Sequence, residues 1–458
     1  MCALDTQLDT LALSADRSAA RFEGVEELGA GPPPRDSPGK RAPGGMSRIL
    51  GPGFITGACS DDPGSIGTYS QVGAQFGFQL AWTLLFTYPL LVAVQEISAR
   101  IGRVTGCGIA GNLRRHYPGW FAVSLVGLLC VANIINLAAD LGAMGAVLNL
   151  LFDAPPLLYV CLLGFACVLF EVFTGYERYV RTLKWLCLSL LSYVVAAFVV
   201  EVPWKEVAHA LLRPPVSAAP QYVTAVVAAL GTTITPYLFF WQAQQEVEHG
   251  RHAPHARPLL RSAHEAPAEF TRIRIDTVIG MGLSSLIALF IVITTASTLH
   301  AQGVYSIDTA AEAAEALRAL AGRFTFLVFA FGIVGAGLLA LPALSNSAAY
   351  AVGEIFTWRV GRSHPPGRAR AFYAGVAAVT AIGCALNLSP INPIRALYWS
   401  AVLNGVVAVP LMIAMMHLSV RTSVMGALKP SRGLRALGWV ATVAMSVSVT
   451  GMIVSWLV

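Results

Sequence analysis

Charge is scarce in this chain. Lysine, arginine, aspartate and glutamate make up 12% of its 458 residues, roughly half the share of an average soluble domain, so it cannot coat a large water-facing surface. A large soluble enzyme is thereby excluded. The basic residues are not grouped either: a net charge of +6 is scattered over short loops between apolar runs, which reports membrane topology rather than a nucleic-acid surface. Closely spaced cysteine motifs are missing too. The eight cysteines form no CxxC pair, and Cys130, Cys161, Cys167, Cys187 and Cys384 lie inside apolar runs, so a secreted disulfide framework is excluded and small core residues are expected. Residues 1–45, which carry GPPPRDSPGKRAPGG, hold no uninterrupted apolar stretch. Neither a signal peptide nor a packed domain fits; a flexible cytosolic tail does, with Met46 as an alternative start.

What remains is apolar. Hydrophobic residues are 55% of the chain and form eleven expected spans, at 49–76, 78–101, 120–151, 157–173, 183–200, 222–248, 277–299, 324–356, 372–388, 394–417 and 433–458. Arg100, Arg103, Arg114 and Arg115 fall in one loop, Arg178, Arg181 and Lys184 in another, and later basic loops alternate in the same way. By the positive-inside rule these loops and the N-terminus are cytoplasmic and the C-terminus is outside. Residues 309–320 read as a separate amphipathic helix on the outer side.

Two spans are interrupted. The first reads GPGFITGACSDDPGSIGTYSQVGAQ and is broken around Ser60 to Ser65; the sixth reads AALGTTITPYLFFWQAQQEVE and is broken at Pro236. Proline removes a backbone donor, and each orphaned group in lipid costs several kcal/mol unless protein, water or an ion satisfies it. The breaks fall in spans one and six, each the first of five, so the halves have opposite orientation, the inverted-repeat pattern of secondary transporters. The expected fold is all-α and polytopic, with residues 46–201 as the first five-helix repeat, 202–418 as the second and 419–458 as an eleventh helix.

An intramembrane carboxylate at such a break is a functional-site candidate by default. Asp62, bonded to Pro63, is therefore expected to anchor a cation, with Asp61 as its rival. Ser65 and the Cys59 carbonyl join it from span one; Thr235, Tyr237 and the Thr232 carbonyl from span six. These are mostly hard oxygen donors, suited to Mg²⁺, Mn²⁺ or Ca²⁺. Asp140 in span three and Gln242 on the inner half of span six are candidates for a path or proton relay, as are Tyr237 and Asp61. The histidines at 249, 252, 255 and 264 read as a solvated loop, Glu96 and Arg100 as an internal pair one turn apart, and Asn133 and Asn136 as vestibule or interhelical groups. Trp241, Tyr398 and Trp399 read as packing or interface aromatics.

From about Leu50 to Met416 the chain resembles the NRAMP family of divalent metal transporters. The resemblance rests on GPGFITGACSDDPG, ARIGRVTG, AAD, the broken span six, GAGLLALPALSNSAAYA and LYWSAVLNG. It implies a leucine-transporter-like fold with a metal site between helices 1 and 6. The family's DPGN is DPGS here, with Ser65 at the asparagine. Its MPH is TPY, so Thr235 replaces the thioether and Tyr237 the histidine. The glutamate three residues after Asp140 is Ala143, and the span-ten glutamine aligns with Ala401. These departures resemble the NRAMP-related magnesium transporters. They imply import of Mg²⁺ or Mn²⁺, with Fe²⁺ admitted, by alternating access and with proton coupling weak or absent. A proton-coupled Mn²⁺/Fe²⁺ symporter is the alternative, as is an amino-acid or organic-cation symporter of the same fold, against which Asp62 argues. Cofactors and nucleic acid are not expected. The expected setting is a bacterial inner (plasma) membrane, as a monomer or weak oligomer.

Overall fold

The computed structural model describes residues 51–457 except 175, 214, 216, 218, 253–256, 308–309, 362–363, 365 and 389–392. The expected N-terminal tail, His255 and the side chains of His252 and Tyr398 lie outside the described residues. Span one is two helices, α1 (Pro52–Cys59) and α2 (Pro63–Phe76). Then come α3 (Ala81–Thr105), α4 (Ile109–His116), α5 (Gly119–Phe152), α6 (Pro156–Phe173), α7 (Tyr176–Leu186) and α8 (Leu191–Val199). A short α9 (Trp204–Leu212) precedes the broken span six, α10 (Pro220–Thr233) and α11 (Pro236–His252). The chain closes with α12 (Ala266–Thr298), α13 (Ala310–Ile355), α14 (Arg370–Leu386), α15 (Pro393–Val420), α16 (Thr422–Met425) and α17 (Arg432–Leu457).

Among the described residues nine helical stretches are long and apolar enough to cross a bilayer. The broken span one and the shorter apolar α14 bring the crossings to the expected eleven. Two details differ from the sequence reading. From Ala310 on, the expected outer helix and span eight are one continuous helix, α13, because Gly322 is the sole weak helix former between them and no proline intervenes. Span five is not uniform: a 3₁₀ turn, Cys187–Leu190, joins α7 to α8. Three short helices, α4, α9 and α16, also form in stretches read as loops.

Packing sets the two breaks side by side. Half-helix α1 lies on α11, α2 lies on α10, and α12 runs along both α1 and α2. Small residues permit that closeness: an added Cβ at Gly57 would overlap the Gly280 backbone of α12. The start of α1 is tied to the same helix. Asp276 accepts the N–H groups of Gly51 at 2.8 Å, Gly53 at 2.7 Å and Phe54 at 3.1 Å, groups that an isolated helix end leaves orphaned. Arg272, one turn before, holds Glu246 of α11 at 2.5 Å, so one stretch of α12 fixes the lower half-helices of both broken spans. The expected Glu96–Arg100 pair is present at 2.5 Å, with the guanidinium over the Phe270 ring.

Candidate functional site

The break in span one is a tight turn with its own internal hydrogen bonds. Asp62 leaves the helix in an extended conformation and caps α2, its Oδ1 accepting the Ser65 N–H at 2.6 Å. Ser65 Oγ donates back to the Ser60 carbonyl at 2.9 Å. The prolines decide which carbonyls are left over. In an unbroken helix the Cys59 carbonyl would accept from residue 63 and the Thr232 carbonyl from residue 236, and both positions are proline.

Span six answers across the gap. The Tyr237 hydroxyl lies 2.8 Å from the Cys59 carbonyl oxygen and 3.1 Å from Asp62 Oδ2. Thr235, two residues earlier, is buried, and its hydroxyl has no protein partner. Thr232 is buried at the end of α10, and the neighbouring Thr233 hydroxyl is 2.9 Å from that of Tyr69 on α2. Helix α15 closes this side: a Cβ at Gly231 would overlap the Ala401 carbonyl, which places Ala401 against the break.

Span three supplies the second carboxylate. Asp140 Oδ1 accepts the Gly64 N–H at 2.9 Å while Oδ2 has no protein partner. Asn133, Asn136 and Asp140 share a face of α5. Asn133 donates to the Leu344 carbonyl at 3.0 Å and to Ser347 at 2.7 Å, and Asn136 to Asn404 at 2.9 Å, so both asparagines bond between helices. Two carboxylates thus accept backbone N–H groups of the Asp62 to Ser65 turn, and among the described residues no ion pair reaches either. Like charges held together in a site that is at most 5% exposed at Asp62 are costly unless a cation, a proton or hydrogen-bond donors stabilise them.

The remaining candidates divide. Asp61 faces away from this group, accepting from Ser284 of α12 at 3.0 Å. Gln242 is fully buried with both amide atoms unpartnered, while Trp241 packs edge-on against Tyr179. His249 is half-buried and His264 is exposed, and no group of three metal-ligating side chains forms among the described residues. The sequence reading passed over Gln95. Ser98 of α3 bonds to the Phe239 carbonyl and Gly102 abuts Ala243, a parallel register that sets Gln95 level with Pro236. Gln95 is buried with both amide atoms unpartnered beside the break. A glutamine in mid-span was the available signal, but the register of α3 on α11 is needed to aim it.

Two broken helices crossing at buried carboxylates, within paired inverted repeats, define a secondary transporter of the leucine-transporter-like class. A family profile described as "Natural resistance-associated macrophage protein-like" matches residues 53–455. The chain belongs to that family, Nramp. It is 26% identical over 423 residues to the "Divalent metal cation transporter MntH" of Klebsiella pneumoniae, covering 89% of this chain and 93% of the relative. Among solved structures it superposes on the Eremococcus coleocola manganese transporter with a TM-score of 0.68 at 17% identity, over 91% of this chain and 90% of that one. It also superposes on MhsT in complex with L-phenylalanine, with a TM-score of 0.58 at 15% identity over 88% and 97% of the two chains. At these identities the two structures speak for the fold.

Proposed function

We propose that the protein imports divalent metal cations, Mg²⁺ or Mn²⁺ ahead of softer ions, by alternating access around the two helix breaks. The observation that carries this reading is the meeting of the Asp62 carboxylate with span six at Tyr237, beside carbonyls that two prolines have stripped of their helical donors. The Klebsiella relative named as a divalent metal cation transporter and the Eremococcus structure named as a manganese transporter agree with it. Asp62 anchors the ion; Ser65, Thr235 and the Cys59 and Thr232 carbonyls complete an oxygen shell, and Asp140 balances the second charge. Oxygen donors with no thioether favour hard cations that keep part of their water shell. Proton coupling is weak or absent, because the positions resembling the family's histidine and glutamate hold Tyr237 and Ala143. The protein works in a bacterial inner membrane with its N-terminus inside.

The test uses purified protein in liposomes. Asp62→Ala should abolish both Mn²⁺ uptake and Mn²⁺ binding while the protein still folds and inserts. Uptake that survives in this variant would overturn the assignment.

A further inference from the structure

Importing a cation is half of a carrier's cycle; the other half is the return without it. For a site built like this one the return is the difficult half. The Cys59 carbonyl has no helical donor because residue 63 is proline, and Asp62 Oδ2 is left over once Oδ1 has taken the Ser65 N–H. Both groups belong to buried residues, Cys59 at 0% and Asp62 at 5% exposure, where an unpartnered acceptor is costly. A coupled symporter meets that cost with a proton. Here a neutral donor already stands in place: the Tyr237 hydroxyl, on a fully buried side chain, is 2.8 Å from the carbonyl oxygen and 3.1 Å from the carboxylate oxygen.

We propose that Tyr237 is the positioning residue for the return step. When no cation is held, its O–H bridges Asp62 Oδ2 and the Cys59 carbonyl, so the unloaded carrier reorients without taking up a proton. One O–H proton serves two acceptors, so neither bond is at full strength, and a divalent cation that takes both oxygens displaces it. The phenol keeps its proton at neutral pH and is not consumed in the cycle. The proposal rests on the divalent-cation reading above and adds what allows that transport to run uncoupled.

Tyr237→Phe keeps the ring and removes the bridge. Two fluxes of radiolabelled Mn²⁺ into liposomes separate the half-cycles. Net uptake into metal-free vesicles requires the unloaded return, whereas exchange against unlabelled Mn²⁺ inside requires only the loaded carrier. Net uptake should slow about tenfold in Tyr237→Phe, the scale of one buried acceptor left unpaired, while exchange stays within about twofold and the KM for Mn²⁺ falls. The two fluxes dropping together, neither changing, or exchange dropping more would overturn the role of Tyr237. The unmodified protein gives a second check that needs no variant to fold: its exchange should be within about threefold of its net uptake, and exchange faster by tenfold or more would mean the return is slow despite the bridge. If the unmodified protein moves no Mn²⁺ in either assay, the transport reading fails, and that result is distinct from all of these.

Discussion

On the reading proposed above, Thr235 is the residue on which ion choice turns. Its hydroxyl is buried and without a protein partner beside the break, where the resembling family carries a methionine. A hydroxyl is a hard donor and a thioether a soft one, so Thr235→Met should raise the preference for Cd²⁺ over Mg²⁺ by about tenfold or more, read by competitive uptake of Mg²⁺, Mn²⁺ and Cd²⁺. An unchanged ratio would move Thr235 out of the ion's shell, and a native protein that already prefers Cd²⁺ or Fe²⁺ by orders of magnitude would refute the hard-ion assignment. At this scale some of the site was legible before any coordinates. Asp62 and Asp140 stand out because an acid inside an apolar span has no inexpensive place to go except a polar site, and the structure gives both of them backbone partners on one turn. Gln95, the direction of Asp61 toward Ser284 and the reach of Tyr237 to the Cys59 carbonyl were not legible. Each depends on the register of one helix against another, which no local pattern encodes.

At the scale of the element, the prolines do more than interrupt. Pro63 and Pro236 each lie four residues after a carbonyl expected to bind the ion, so each frees a specific oxygen and not merely a turn. Pro63→Ala removes no ligand but returns an N–H that the Cys59 carbonyl can accept, which competes with the cation for that oxygen. Mn²⁺ affinity should fall by about tenfold, the weight of one competing buried hydrogen bond, as measured by calorimetric titration of the detergent-solubilised protein. Affinity equal to the parent's would show that the carbonyl takes no part. Periodicity and proline position gave the breaks and eleven crossings from sequence, since apolar length is a strong signal. The join of 310–320 to span eight was missed for the converse reason: charge in the outer turns of a helix reads like a boundary, although only proline or a cluster of weak formers ends one. The 3₁₀ turn at Cys187–Leu190 has no proline or glycine to announce it.

For the whole molecule the question is which gradient drives the cycle. The structure ties both lower half-helices to α12 through Asp276 and the Arg272–Glu246 pair, and it places the carboxylates of Asp62 and Asp140 on one turn. If a divalent cation alone neutralises those carboxylates and the neutral Tyr237 hydroxyl covers the return, each inward cycle carries two positive charges and no proton. At 100 mV, inside negative, two charges correspond to about 4.6 kcal/mol, enough for accumulation of about 2,000-fold at equilibrium. The membrane potential should therefore drive uptake strongly. A pH gradient should not: with the potential clamped at zero, one pH unit would give tenfold accumulation if one proton moved inward with each ion, and none if no proton moved. Proteoliposomes clamped with a potassium ionophore and loaded with a pH-sensitive dye measure both quantities together. The expected outcome is Mn²⁺ accumulation that follows the imposed potential, is indifferent to an imposed pH gradient, and leaves the internal dye unchanged. Acidification in fixed proportion to the metal taken up would show that Asp62 or Asp140 returns carrying a proton, and the uncoupled cycle would have to be abandoned.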